Sequence, residues 1–159
     1  MQEPKIKKGA TTHDIRADLA YTLDAIPNNP KALDLASRFS IKYASSPDFA
    51  KRQKPLVRSV DCYFDRAKRL TPKNPNVWSQ YGVHLHRVGQ YELALNNYKK
   101  AIELSPNSSE IHYFMGLTYL KMDNMSEATI SARKAYELGY PLEGLKNKLK
   151  EKGVQFDEQ

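Results

Sequence analysis

Apolar and small residues recur along this chain every three or four positions, which is the spacing of one face of an α-helix. The stretch from Tyr91 to Pro106 shows the pattern most clearly. Its apolar and small positions are Leu93, Ala94, Tyr98, Ala101, Ile102 and Leu104. Because proline cannot continue a helix, the pattern predicts a helix over about 91–104 that stops before Pro106.

The same pattern returns after 34 residues. Displacing the sequence by this amount places glycine on glycine and alanine on alanine. The aligned pairs are Gly82 with Gly116, Ala94 with Ala128, and Ala101 with Ala135. A fixed period of this size is typical of proteins built from repeated pairs of helices. In the clearest unit we predict helices over about 76–88 and 91–104, with Gly89 at the turn between them.

Small residues at fixed positions indicate where two helices cross. Helices approach to about 8 Å only where a glycine or an alanine lies at the crossing. We therefore predict crossings at Gly82, Ala94 and Ala101, with bulky side chains filling the space beside them. The bulky positions are Trp78, Tyr81, Leu85 and Tyr98.

This set of residues resembles the tetratricopeptide repeat (TPR) over 75–108. The resemblance depends on Trp78, Tyr81, Gly82, Leu85, Ala94, Tyr98, Ala101 and Pro106. The next copy, 109–142, keeps the glycine and the alanines. It has His112 at the tryptophan position and Ala132 at the large aromatic position, which leaves open how closely this copy packs.

Two proline turns upstream mark a longer repeat. The turn at 72–75 is echoed at 27–30, a spacing of 45 residues instead of 34, so we place an insertion at 45–55. The insertion either folds over the edge of the groove through Phe49 or has no fixed structure, and we favour the second.

The resemblance implies an all-α fold, a right-handed TPR superhelix (α-solenoid) of about three helix pairs in one domain over 12–152. Its parts are a half repeat at 12–29, repeats at 30–74, 75–108 and 109–142, and a lysine-rich capping helix at 142–152. Asp14 or Thr12 is the expected N-cap of the first helix. The segment 1–11 is expected to be disordered and the tail 153–159 to be frayed.

The stretches 18–33 and 137–149 resemble, more loosely, a group of bacterial TPR proteins exported to the periplasm. This favours the periplasm, after removal of a signal, over the cytoplasm. No apolar run approaches the roughly 18–20 residues that span a bilayer, and the first residues do not form a signal peptide. With a single cysteine, Cys62, the chain has no internal disulfide.

The sequence offers few residues for catalysis. His84 and His86 lie two positions apart, so on a helix they point to opposite sides and cannot share a metal ion. Cys62 is expected to be a buried small hydrophobic residue. Because the chain also lacks a P-loop, a dinucleotide-binding glycine turn and a nucleophile elbow, we predict no enzyme activity, no metal and no cofactor.

The net charge of +7 favours acidic partners. Basic residues in 51–73 and in the last helix could bind phosphate. However, Asp61 and Asp65 lie at helical spacing from arginines of the same segment, so we expect ion pairs there. No aromatic residues are interleaved to stack bases. Nucleic-acid binding is therefore the less favoured interpretation.

The TPR resemblance implies that the first helix of each pair lines a concave groove that binds peptides. By register, the groove positions include Lys31, Asp34, Leu35, Arg38, Ile41, Lys42, Asn76, Ser79, Gln80, Val83, His86, Arg87, Glu110, Tyr113, Phe114, Leu117, Leu120 and Lys121. The positions with which some family members clamp a C-terminal carboxylate keep only one basic residue, Arg38, so that mode is not expected.

From these positions we assign the ligand groove to Arg38, Lys42, Val83, Arg87, Tyr113, Phe114, Leu117 and Leu120. The basic residues form one end, and an apolar strip from Tyr113 to Leu120 forms the other. The strip is expected to face a partner; the alternative is that the capping helix, or residues upstream of position 1, cover it.

The function predicted is that of a scaffold or adaptor that holds a peptide segment of a partner protein. Two alternatives stay open: a nucleic-acid-binding protein with a basic surface, and a structural protein that assembles with itself through exposed repeat ends. A monomer is expected.

Overall fold

Helices follow one another along the chain with short connections. The computed structural model describes residues 14–155, and within that range the regular secondary structure consists of nine α-helices and no strand. Their bounds are α1 Ile15–Ala25, α2 Pro30–Ser45, α3 Pro47–Arg52, α4 Val60–Leu70, α5 Pro75–Arg87, α6 Tyr91–Leu104, α7 Ser109–Lys121, α8 Met125–Glu137 and α9 Gly144–Glu151.

Local sequence signals explain where several of these helices begin. Asn29 and Asn74 each accept a hydrogen bond from a backbone N–H of the first turn, and each precedes a proline at the first helical position. Ser59 caps α4 through the N–H of Cys62 at 3.2 Å. Asp14 caps α1, as predicted, whereas the other candidate, Thr12, lies outside the described residues. Side-chain caps satisfy N–H groups that have no partner within the helix.

The helices pack in successive pairs, α2 with α4, α5 with α6, and α7 with α8. The two helices predicted for 75–108 are observed as α5 and α6, and Gly89 between them has a left-handed φ of 82°. In the next pair Asp123 occupies the equivalent position with φ 55°. Neighbouring pairs contact each other through α2 and α5 and through α6 and α7, which produces a stacked solenoid.

The predicted crossings in the second pair are confirmed. Ala94 and Ala101 are fully buried. A Cβ added at Gly82 would lie 2.5 Å from Cε1 of Tyr98, so only glycine allows the ring of Tyr98 to lie there. The close approach of α5 and α6 therefore depends on this glycine and the two alanines.

In the third pair the same space is filled from a different helix. Ala132 stands at the position of Tyr98 and leaves the volume of an aromatic ring unfilled. A Cβ at Gly116 would lie 2.5 Å from Cδ2 of Leu145, which belongs to α9 and is fully buried. The third copy is closely packed because α9 supplies the side chain that its own second helix lacks.

The insertion has a regular structure, so the interpretation that we favoured for it is wrong. Ser46 caps α3, Pro47 starts it, and the ring of Phe49 meets the ring of Phe39 edge to face with centroids 5.3 Å apart. The Lys42 ammonium lies 4.9 Å from the centre of the Phe49 ring. These aromatic and cation–π contacts hold α3 against α2.

The prediction that Asp61 and Asp65 pair with arginines of the same segment is also wrong. Arg58 and Arg66 both contact the carboxylate of Asp24 at the end of α1, and Arg66 also donates to the backbone oxygen of Asp24 at 3.0 Å. Asp65 pairs with Lys68 instead, at 3.0 Å. The fold brings Asp24 next to the arginines although it is more than thirty residues away in sequence.

The predictions for Cys62 and for the start of the C-terminal tail are also wrong. Cys62 is exposed, because the buried face of α4 is formed by Val60, Tyr63, Phe64 and Ala67. Val154 of the predicted frayed tail packs against the core formed by α7, α8 and α9, and its N–H donates to the oxygen of Leu149 at 3.0 Å. The rest of that tail from 156 onward and the predicted disordered segment 1–11 lie outside the described residues. Within 14–155 no helix has the length and apolar character that crossing a bilayer requires.

Candidate binding groove

The first helices of the three pairs, α2, α5 and α7, lie side by side and form the walls of an open cavity of about 500 Å³. Its lining residues are Pro30, Lys31, Asp34, Ser37, Arg38, Asn76, Ser79, Gln80, Val83, Arg87, Glu110 and Phe114. Apart from Pro30 and Ser37, all of these are groove positions predicted by register. Ser37 lies three residues after Asp34 on α2, so helical spacing would have placed it on the same face.

The eight residues assigned to the groove divide into three sets. Arg38, Val83, Arg87 and Phe114 line the cavity. Lys42 does not line it and lies over the Phe49 ring instead. Of the remaining three, Tyr113 belongs to the apolar core between α7, α8 and α9, and Leu117 and Leu120 are partly buried against that core.

The strip from Tyr113 to Leu120 is therefore only partly open: Tyr113 is buried, Leu117 and Leu120 are partly exposed, and Phe114 lines the cavity. Tyr113 is only 8% exposed, and its ring stacks on that of Tyr140 with centroids 4.1 Å apart. Leu117 and Leu120 pack in the same cluster as Leu145 and Leu149, both fully buried in α9. The chain's own C-terminal segment covers Tyr113 and packs against Leu117 and Leu120, so the alternative interpretation holds for part of the strip.

A shared carboxylate organises the charged wall of the groove. The Asp34 carboxylate accepts from Nε of Arg38 at 2.8 Å and from Nη1 of Arg87 at 2.8 Å. Arg87 Nη1 also donates to Oγ of Ser37 at 3.3 Å. The side chain of Arg38 remains 67% exposed. Because a guanidinium has five N–H donors, both arginines keep donors for a ligand.

Beneath this wall, Ser37 contacts a buried histidine. Oγ of Ser37 lies 2.9 Å from Nδ1 of His84. Burial lowers the pKa of His84, and Arg87 lowers it further while Asp61 acts in the opposite sense. His84 is therefore neutral at pH 7. Nε2 of His84 is 4.0 Å from Asp61, too far for a hydrogen bond, so the three residues do not form a serine–histidine–aspartate catalytic set.

His86 contacts a different helix. Its Nδ1 lies 2.8 Å from Oγ1 of Thr118 on α7, and Thr118 donates its own hydroxyl hydrogen to the oxygen of Phe114 at 2.8 Å. Burial lowers the pKa of His86 as well, with smaller contributions from Lys121 and Arg87. As predicted, the two histidines point to opposite sides of α5. Among the described residues, no group of three or more His, Cys, Asp or Glu side chains could hold a metal ion.

Comparisons with known proteins agree with this architecture. A family model described as TPR repeat matches residues 84–123, and one described as tetratricopeptide repeat matches 109–138. A crystal structure of MamA superposes with a TM-score of 0.60 at 18% identity, over 87% of this chain and 77% of that one. A second MamA structure, MSR-1, gives a TM-score of 0.52 at 24% identity, over 77% of this chain and 64% of that one.

One curated relative is also similar. The peroxisomal targeting signal receptor of Saccharomyces cerevisiae is 23% identical over 124 residues, which is 77% of this chain. This chain spans only 19% of the length of that receptor. The similarity therefore concerns a part of a much longer protein.

The stacked helix pairs and their shared groove define an α-solenoid of the kind that presents a concave surface to a partner. Within that class, residues 84–138 consist of tetratricopeptide repeats. Repeats of this family are in general scaffolds for protein interaction and not catalysts. The narrower resemblance to a bacterial exported group, and with it the compartment, stays a prediction.

Proposed function

We propose that this protein is an adaptor that holds an extended segment of a partner protein across α2, α5 and α7. The observation that carries the proposal is the cavity lined by three successive first helices. One relative is named a receptor for a targeting signal, which supports recognition of a segment of another protein. The family's general role in protein interaction also supports the adaptor proposal.

The size of the groove sets the length of the segment. Neighbouring helices pack about 8–10 Å apart, so the three helices span roughly 20 Å. An extended chain advances about 3.3 Å per residue, so about six residues cross the groove. Asn76 and Gln80 lie in the middle wall. Their amides offer both donors and acceptors, which suits the backbone of an extended segment.

A capture experiment tests the proposal with substitutions of groove residues that lie outside the buried core. The groove variant combines Arg38→Glu, Asn76→Ala and Gln80→Ala, and the matched control is Lys99→Glu on the exposed side of α6. Wild type and control should retain the same partner from extracts of the source cell, whereas the groove variant should lose it with unchanged helicity by circular dichroism. Capture by the groove variant at the wild-type level would place the binding surface elsewhere.

The ion pairs in and just before α4 give no support to the nucleic-acid alternative. Arg58 and Arg66 are engaged by Asp24, and Lys68 by Asp65, so fewer cations are available for phosphate. We expect no binding of a mixed single-stranded oligonucleotide in the micromolar range at physiological salt. Tight binding with a steep salt dependence in a fluorescence titration would reverse this ranking.

The molecular mass of the protein in solution tests whether it assembles with itself. Light scattering after size exclusion should give the monomer mass of 18.2 kDa at every concentration. A mass that rises with concentration would favour the self-assembling alternative.

A further inference from the structure

The two outer walls of the groove carry charges of opposite sign. The charged lining residues of α2 and α5 are Lys31, Arg38, Arg87 and Asp34, which leaves two positive charges in excess. On α7 the charged lining residue is Glu110. The charge therefore changes from positive to negative across the groove.

The repeat places part of this gradient in a single row. Lys31, Asn76 and Glu110 are equivalent positions, because they are related by the repeat spacings of 45 and 34 residues. All three line the cavity, each in the first turn of its helix. A segment lying across the helices at this level meets a cation, then a neutral amide, then a carboxylate.

Asp34 fixes the positions of Arg38 and Arg87, and the charged side chains of α2 and α5 together still carry a net positive charge. Its two carboxylate oxygens hold Arg38 and Arg87, which belong to different helices, at 2.8 Å each. This arrangement fixes the position of both guanidinium groups before a ligand arrives. Pre-positioned charges lose less side-chain freedom on binding and therefore favour affinity.

Apolar side chains lie between the charged walls. Val83 on α5 and Phe114 on α7 line the cavity and are partly buried against the core of the second pair. The ring of Phe114 is parallel to that of Tyr98, with centroids 6.5 Å apart, which supports it from below. These two side chains provide a site for one apolar side chain of a ligand.

We propose that the groove accepts its partner segment in one polarity, with an acidic side chain toward Lys31 and Arg38, an apolar side chain over Val83 and Phe114, and a basic side chain toward Glu110. This inference rests on the proposed adaptor function and adds the chemistry of the partner. The opposite placement would bring like charges together at both walls, which disfavours binding.

Double-mutant cycles with a defined probe test the polarity. The probe is a fluorescein-labelled peptide of about ten residues with two aspartates near one end, two leucines in the middle and two lysines near the other. Companion peptides replace the aspartates by asparagine or the lysines by glutamine. Each peptide is titrated by fluorescence anisotropy against wild type, Arg38→Glu, Glu110→Gln and the outer-face control Lys99→Glu. Both groove side chains are exposed, so the variants should fold.

We expect Arg38→Glu to weaken binding of the full probe about tenfold, and this loss should largely vanish with the asparagine peptide. Glu110→Gln should weaken binding about threefold, and only for peptides that keep the lysines. Lys99→Glu should leave every affinity unchanged. Coupling between aspartate and Arg38, and between lysine and Glu110, would establish the polarity.

Two results would overturn the inference. One is an affinity for the full probe that is the same in wild type, Arg38→Glu and Glu110→Gln. The other is the absence of binding by any peptide at concentrations up to about 1 mM. If the capture experiment nevertheless shows that the groove variant loses the partner, the adaptor proposal stands and only the polarity fails.

Discussion

The second and third helix pairs fill the space next to their glycines in different ways. In the second pair the ring of Tyr98, from the pair's own second helix, lies against Gly82. In the third pair Ala132 stands at the equivalent position, and Leu145 from α9 lies against Gly116. The second pair is complete by itself, whereas the third pair is complete only with the helix that follows it.

This difference has a consequence for binding. The approach of α9 that places Leu145 against Gly116 also brings Tyr140, Leu145 and Leu149 over the apolar strip of α7. The helix that completes the third pair therefore covers part of the apolar end of the groove. The open part of the groove lies further toward α2 and α5, where the charged residues are.

The largest effect is expected from Leu145→Ala. Leu145 is fully buried, so its truncation should lower the free energy of unfolding by about 2–5 kcal/mol. The matched control is Leu142→Ala, because Leu142 is 59% exposed and should change stability by less than about 0.5 kcal/mol. Urea unfolding measures both. Equal effects would mean that α9 does not complete the third pair.

Substituting alanine for Gly82 and for Gly116 compares how tightly the space next to each glycine is filled. Gly82→Ala would meet the rigid Tyr98 ring and should cost about 1–3 kcal/mol. Gly116→Ala would meet the far end of the flexible Leu145 side chain at 2.5 Å, while the nearest backbone atom, the oxygen of Ala128, is 3.3 Å away. At both positions alanine favours the helix by about 1 kcal/mol, so the difference depends on which neighbour can move. We therefore expect a smaller cost at Gly116. A larger loss at Gly116 than at Gly82 in the same urea assay would contradict this account.

Acid should destabilise the protein through the second pair. Burial lowers the pKa of both His84 and His86 below the usual 6.5, so the unfolded chain binds more protons than the folded one as the pH falls through that value. Their stabilising contribution is full above pH 6.5 and is lost as the pH falls through the lowered pKa values. Unfolding curves between about pH 8 and 5.5 should show this loss.

The control for the pH dependence is the double variant His84→Gln, His86→Gln. Glutamine keeps a hydrogen-bonding side chain but does not titrate in this range. The double variant should therefore lose less stability than wild type over the same pH interval. An unchanged loss would assign the pH dependence to other groups.

The smallest effect concerns the turns within the two pairs. Gly89 and Asp123 both adopt a left-handed backbone, with φ 82° and 55°. A residue with a Cβ costs about 1 kcal/mol in this conformation, and aspartate tolerates it better than most. Asp123→Gly should therefore raise stability by up to about 1 kcal/mol, and Gly89→Ala should lower it by about as much. Thermal unfolding of both variants checks the opposite signs.

Much of the fold could be predicted from the sequence because it depends on short-range patterns. The period of 34 residues identified Gly82, Ala94 and Ala101 as crossings, and the proline turns at 27–30 and 72–75 end at the first residues of α2 and α5. The insertion was harder, since the contact of Phe49 with Phe39 is not encoded by any period. The exposure of Cys62 followed from the register of α4, which its neighbours only partly reveal.

The candidate site was predicted in part. The register placed Arg38, Val83, Arg87 and Phe114 in one cavity because equivalent positions of stacked repeats face the same side. It could not tell whether the strip on α7 was free. That depended on α9, whose own sequence shows a helix but not the surface on which it packs.

Apart from α3, the sequence by itself determined the helices, their pairing into repeats and the face that each first helix presents, because caps, period and residue size act over a few turns of chain. Only the tertiary structure decided which partners distant side chains would find. It brought Asp24 to Arg58 and Arg66, Leu145 to Gly116, and Asp34 to Arg87. Contacts of this kind depend on how whole helices lie against each other, and no local pattern specifies them.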